Sequence, residues 1–238
     1  MQVITDYNNI PDVIRRRGLK YLAERIALCL GPTAVGKYRR LHIRLYDGWY
    51  KVQKLTHLAQ STSAEVQRVF PTTITFPSLE GPAVRAVVAA EMAYSLHCDP
   101  ATNIWHTFRP RSGQANVGCK SPSSAGCSSH DCVLSALPRF FSTQQCPDTC
   151  CILSTKDLIY RDEQKLVDGM MATDLMSLHL TSDEELVVVS SDDDLWPALR
   201  LLLQRGHTVY HIHTEPSRTT PSFYSQRIPK TQYIQLHL

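Results

Sequence analysis

The sequence predicts an α/β fold with a mainly parallel sheet. Strand-like and helix-like segments alternate along most of the 238 residues. The first helix-like segment carries apolar residues three and four apart (Leu19, Leu22, Ile26, Leu30), which gives it a single apolar face. Carboxylates stand directly after strand-like segments, where parallel sheets bind ligands. Hydrophobic residues make up 43% and charged residues 20%, an ordinary globular balance that argues against a disordered chain. A core of this size needs no disulfides.

The elements follow in order. QVIT (2–5) reads as a short buried strand ending at Asp6. Leu19, Leu22, Ile26 and Leu30 form one helical face, which Gly31 stops. RRLHIRLY (39–46) alternates basic with apolar residues and reads as a second strand. A helix over 53–69 exits at Pro71, residues 82–95 suit either strand or helix, and NIWHTF (103–108) reads as a strand. After a change of composition, DLIY (157–160) reads as a strand, 162–180 as a helix and ELVVVS (185–190) as a strand. A helix over 193–205 ends at Gly206, and HTVYHIH (207–213) closes the alternation.

The net charge of +3 hides a polarity. Residues 12–51 hold ten Lys or Arg against three acids, and residues 157–194 hold eleven acids against two bases. The N-terminus lacks the basic and apolar regions of a signal peptide, and no apolar run reaches the roughly 20 residues of a membrane span. A cytoplasmic protein without membrane contact is expected. In that setting clustered cysteines favour metal or plain thiols over disulfides.

Asp6 and Asn9 follow the first strand, Asp168 and Asp174 lie in KLVDGMMATD, and Asp192, Asp193 and Asp194 follow ELVVVS. Adjacent carboxylates raise one another's pKa, so the triple Asp is costly unless a cation neutralises it. Mg²⁺ or Mn²⁺ suits such oxygen ligands and leaves room for a substrate phosphate. The competing reading for Asp192 or Asp193 is a helix cap. Asp168 and Asp174 are six residues apart and cannot share a helical face. Asp168 is the ligand candidate, and Asp174 is supporting or structural.

Three segments carry a resemblance. VITDYNNI contains D-x-x-N (Asp6, Asn9). KLVDGMMATDL contains K-x-x-D-x-x-x-x-x-D (Lys165, Asp168, Asp174). VVVSSDDDLWPALRLLLQRGHTVYHI contains S-x-D-x-D and an apolar residue (Ser190, Asp192, Asp194, Leu195), followed by a helix, a glycine and a strand. In order and spacing these resemble the NYN domains, a branch of the PIN-like nuclease superfamily, and RLYDGWY (44–50) looks like that family's second strand. The likeness covers roughly residues 1–110 and 155–214. One departure is Ser191, where many members carry Gly. The resemblance implies a Rossmann-like PIN/NYN fold with helices on both sheet faces and Mg²⁺ or Mn²⁺ held by the acids. The expected domain is 1–214, with 215–238 a C-terminal tail.

Residues 110–151 stand apart as a loop-rich insertion, with eight serines and six of the eight cysteines. Cys127, Cys132, Cys146 and Cys150 form two close pairs around a spacer, with His130 between the first two, and suggest a structural Zn²⁺ knuckle. Buried thiols are the alternative. GPTAVGK (31–37) matches a phosphate-loop pattern, but Tyr38 replaces the Ser or Thr and the segment leads from a helix into a strand. A helix cap and turn suits it better. His211 and His213 alternate on the last strand, where packing outweighs a second metal site.

The expected function is a metal-dependent endoribonuclease that hydrolyses RNA phosphodiesters. Asp6, Asp168 and Asp192 would be metal ligands, Asp194 would ligate or polarise water, and Asn9 would position Asp6 or a phosphate. Lys165, Arg15, Arg16 and Arg44 would contact the nucleic-acid backbone, helped by aromatics such as Tyr38 and Trp49; the alternative is that Lys165 only balances the acidic helix, Arg15–Arg17 form a solvated helix face, and Trp49 and Tyr50 are core. The alternative is a non-catalytic nucleic-acid or protein interaction module. RNA is the expected substrate, with DNA as the alternative polyanion. A homo-oligomer or a regulatory protein would be the natural restraint on a nuclease, although no residue identifies one.

Overall fold

The computed structural model describes residues 1–76, 83–112, 119–129, 131–181 and 185–238. It divides into two compact units, Met1–Thr107 with Gln164–Leu238, and Phe108–Glu163.

The first unit is built on seven strands: β1 (Gln2–Asp6), β2 (Arg40–Tyr46), β3 (Thr72–Phe76), β4 (Val84–Met92), β5 (Leu186–Val189), β6 (Val209–His213) and β7 (Tyr233–His237). Their order across the sheet is β7-β6-β5-β1-β2-β4-β3. All neighbours are parallel except β3 and β4. From β1 the chain moves to β2 and on to β3 and β4 at one edge, and from β5 it moves out through β6 to β7 at the other, which makes the β1–β5 junction the switch point of the sheet.

Both faces of the sheet are covered. Side chains alternate along a strand, so Val3 and Ile4 enter different cores. Val3, Ile43, Val187 and Val189 pack with α1 (Leu19–Tyr38) and α2 (His57–Val69). Ile4 and Val188 pack with α3 (Val167–Thr181) and α4 (Trp196–Gln204), through Met171, Leu175, Leu199 and Leu202. Burial on both faces explains why β5 reads as the unbroken apolar run LVVV.

The structure corrects several sequence readings. Gly31 breaks α1 (φ 75°) but does not end it, because Pro32, with its fixed φ, opens a second helical piece to Tyr38. The GPTAVGK segment thus contains a helix start, although no strand leads into it. Residues 104–107 lie between the strands Asp99–Asn103 and Phe108–Ser112 and are not themselves a strand. Residues 155–158 are helical because Ser154 and Asp157 close a capping box, and the strand follows at Tyr160–Gln164. The helix expected from 162 starts at Val167, after Leu166 in the left-handed region (φ 68°). The supposed tail contributes the short helix Ser222–Ser225 and the edge strand β7.

The second unit holds 3₁₀ turns at Ser123–Ala125 and Val133–Ala136, and a helix at Leu137–Thr143 on which Phe140 is buried. Among the described residues no helix is long and apolar enough to cross a membrane.

Leu199 is 1% exposed in the α4 core, whereas Leu180 on α3 is 80% exposed. Leu199→Ala should cost about 2–5 kcal/mol in denaturant unfolding, while Leu180→Ala should stay within about 0.5 kcal/mol of the parent. Equal losses would contradict this packing.

Candidate metal centre at the sheet switch point

Asp6 ends β1, paired with β2 on one side and β5 on the other. The register sets Thr5 beside Val189 and Asp6 beside Tyr46. Ser190, the next residue after β5, therefore stands beside Asp6, and Asp47 follows Tyr46 directly after β2. The Ser190 hydroxyl donates to Asp6 Oδ2 (3.2 Å), and the Asn9 N–H donates to Asp6 Oδ1 (3.2 Å). The Asp192 N–H donates to the Ser190 hydroxyl (3.0 Å), so Ser190 joins Asp6 to the acidic turn.

That turn divides its three aspartates. Asp192 Oδ1 accepts the Asp194 N–H (2.9 Å), the capping role that the sequence allowed. Asp193 turns aside to an ion pair with Arg218 (2.9 Å). Asp192 and Asp194 instead join Asp168, from the first turn of α3. These three each bring a carboxylate oxygen within 4.8 Å of the others, a grouping that could hold a metal ion. Burial, followed by the charges of Asp192 and Asp194, raises the pKa of Asp168 against the opposing effect of Lys165.

Asp6 stands outside this close set. The three gathered carboxylates are Asp168, Asp192 and Asp194, whereas the sequence grouped Asp6, Asp168 and Asp192. Burial pushes the Asp6 pKa up to about 6, opposed by its hydrogen bonds from Asn9 and Ser190 and supported by Asp168 and Asp47. Asn9 also does more than steady Asp6. Its Oδ1 accepts the Ser191 N–H (3.2 Å) and the Thr214 hydroxyl (2.6 Å). Ser191 is equally well used, since its hydroxyl accepts the N–H groups of Thr214 (2.9 Å) and Glu215 (3.0 Å). A Gly at this position would lose both bonds.

A buried relay supports the turn from below. His211 Nε2 lies 3.0 Å from the Ser190 carbonyl oxygen, which can only accept, so this nitrogen carries the proton. His211 Nδ1 then accepts from the Tyr233 hydroxyl (2.7 Å), which also lies 2.6 Å from the Thr220 hydroxyl. Burial lowers the His211 pKa to about 3, with the charge of His213 adding to it, so the ring is neutral at ordinary pH.

Asp47 was counted in the sequence only as an acid within the basic stretch. It lies directly after β2, as Asp6 lies after β1, and this position was the available signal. It is 5% exposed, and burial pushes its pKa up to about 6. One oxygen accepts the Gly48 N–H (2.5 Å) and the Gln164 amide, while Oδ2 is buried without a hydrogen-bond partner.

Arg44 is corrected. It is 8% exposed and bonded to Glu91 and the Ser95 carbonyl oxygen (2.6 Å), with Nε 3.3 Å from Asp174. A guanidinium so enclosed cannot grip a nucleic-acid backbone. Asp174 is fully buried and also accepts from the Tyr46 hydroxyl (2.6 Å) and the His97 N–H (2.6 Å). The pair links α3 to β2. Arg15 is half-buried and bonded to Asp12, while Arg16 is exposed.

The zinc reading fares differently. All eight cysteines are free thiols, and Asp168, Asp192 and Asp194 are the metal-compatible group among the described residues. Cys127, Cys132, Cys146 and Cys150 do not form a second one, and His130 lies outside the described residues. Lys37 of the phosphate-loop segment pairs with Glu185 (2.9 Å).

Residues 139–228 match the family model of the NYN domain, which belongs to the PIN-like nuclease superfamily. The span contains the second and third motif segments, and VITDYNNI lies outside it. No curated protein and no solved structure matches the chain.

Two outcomes follow. Asp6 and Asp47 hold protons to about pH 6 in the folded chain, against the ordinary 3.8. The stability this contributes is complete below the ordinary value and is lost as pH rises through about 6. In chelator, the melting temperature should fall from about pH 5 to pH 7, and Asp47→Asn should flatten the fall; a rise over that interval would contradict the assignment. Separately, Asp174→Ala leaves Arg44 buried beside a missing partner and should cost about 3–5 kcal/mol in chemical denaturation. A loss under about 1 kcal/mol would show that the pair does not anchor α3.

Proposed function

We propose that this NYN-domain chain is a Mg²⁺- or Mn²⁺-dependent endoribonuclease, with the cation held by Asp168, Asp192 and Asp194. The observation that carries the reading is the approach of three carboxylates within 4.8 Å at the switch point of a parallel sheet. The donor set fits the ion. It is all oxygen, as hard divalent cations require, and its charges repel one another without a cation. Such an ion activates water and neutralises charge on the phosphodiester.

The chain's residues supply position and charge. Asp6 is held rigid by Ser190 and Asn9 at the edge of the cluster, where it can orient water or complete the ligand set. Lys165 acts on Asp168 electrostatically and offers a cation for a substrate phosphate. Arg16 and Arg15 extend positive charge along the strand's path. His211 is buried, neutral and committed to the Ser190 carbonyl, so it is not the proton carrier.

The test is cleavage of single-stranded RNA, with DNA of the same sequence as a control. Mg²⁺ or Mn²⁺ should support cleavage of RNA and EDTA should abolish it. Asp168→Asn and Asp192→Asn should each reduce the rate at least ~100-fold, more than the loss of a residue that only supports a ligand. Cleavage that persists in both variants would exclude this site, and a metal-independent interaction module would then be the better reading.

A further inference from the structure

Strand β7 (Tyr233–His237) ends the sheet and is paired on one side alone, with β6. We propose that its open edge is a self-association surface, on which a second copy of this chain adds its own β7, antiparallel, across a twofold axis at Gln235. The proposal stands apart from the nuclease reading.

The backbone pattern along β7 carries the inference. A residue in a strand turns its N–H and C=O to the same side, and successive residues alternate. The Gln232 carbonyl accepts the Val209 N–H (2.9 Å), and the Leu238 N–H donates to the His213 carbonyl (2.9 Å). Gln232, Ile234, Leu236 and Leu238 therefore face β6. Tyr233, Gln235 and His237 turn their N–H and C=O groups outward. Two of these groups are used within the chain. The Tyr233 N–H donates to the Pro229 carbonyl (3.1 Å), and the His237 carbonyl accepts from the Cys29 thiol (2.9 Å). The Tyr233 carbonyl, both groups of Gln235 and the His237 N–H have no partner among the described residues.

That remaining set is complementary to itself. Antiparallel strands exchange bonds at every second residue pair. With Gln235 opposite the partner's Gln235, the two residues exchange both bonds. His237 then lies opposite the partner's Tyr233, and its N–H meets the free carbonyl there; the twofold axis repeats this bond at the other end. The bond that this register omits runs from the Tyr233 N–H to the His237 carbonyl, and those are the two groups already bonded inside each chain. Axes at Ile234 or Leu236 would each leave free groups unpaired. The match selects a second copy over an unrelated strand, and such an isologous contact closes at two chains.

The edge also lacks the usual protection. YIQLH holds no Lys, Arg, acid or Pro, and its register with β6 runs without a bulge. The Gln235 side chain is turned to His213 Nε2 (3.1 Å) and the Thr220 N–H (2.9 Å), so it does not fold over its own backbone. Because β1, β5, β6 and β7 are parallel, antiparallel addition would point the two Asp168 clusters to opposite edges of the joined sheet.

The experiment uses the full chain in a concentration series, followed by sedimentation equilibrium and by NMR hydrogen exchange of backbone amides. A monomer–dimer equilibrium is expected, and a weak one, because an edge of five residues buries little surface. The Gln235 and His237 amides should gain protection as the concentration rises. The Ile234 and Leu236 amides, which donate to β6, should be protected throughout and report that β7 stays docked. His237→Pro removes an outward N–H where an edge strand tolerates proline. It should weaken the dimer roughly tenfold or more, since each dimer loses two bonds. His237→Ala keeps the N–H and should associate like the parent. A parent chain that stays monomeric at its highest soluble concentration would overturn the proposal. So would a dimer whose Gln235 and His237 amides exchange freely, or one that His237→Pro leaves undiminished.

Discussion

The parallel pairing of β1 with β5 is the constraint on which the site depends. It brings two chain segments about 180 residues apart into register, Gln2 with Leu186 through Thr5 with Val189. Both strands then end at the same edge of the sheet, one in Asp6 and the other in Ser190 and the acidic turn. The helices that follow β1 and β5 pack on opposite faces of the sheet, which leaves the crevice between the two strand ends that parallel sheets use for ligands. The carboxylates stand in that opening, and α3 brings Asp168 to it from the adjacent face.

Charge repulsion opposes this arrangement, and polar groups around it hold it in place. Ser190 bridges Asp6 and Asp192, Asn9 and Ser191 tie the turn to Thr214, and His211 holds the Ser190 carbonyl through a relay that reaches Tyr233 on β7. Each bond is modest in net free energy, but leaving any of these buried groups unpaired would cost more than making the bond gains. The Asp6 carboxylate and the turn that carries Asp192 are therefore held in place by the chain's own polar groups.

The parts legible in the sequence were those set by local pattern. Buried strands β1 and β5 announced themselves as short apolar runs, and the acids after them followed from the rule for parallel sheets. The D-x-x-N, K-x-x-D and S-x-D-x-D spacings pointed to the NYN domain, and the family model agrees over residues 139–228. What was hidden depended on long-range contact. Arg44 sits in a basic strand, and only the packing of Glu91 and Asp174 against it reveals a buried ion pair. Asp6 looked equivalent to Asp168 until geometry separated a buried carboxylate from an exposed cluster. Ser191 seemed a small departure from Gly, yet its hydroxyl secures the segment after β6. Cysteine spacing suggested a metal knuckle that the described residues do not assemble, because spacing constrains distance along the chain and leaves direction free.

The central claim is that Asp168, Asp192 and Asp194 form the cation site. It is tested most directly by a crystal of the chain soaked in Mn²⁺, with the anomalous signal measured. The account predicts a peak bounded by carboxylate oxygens of these three residues, with Asp6 beside it. A saturated crystal with no peak there, or with its peak among the cysteines of 119–151, would contradict it.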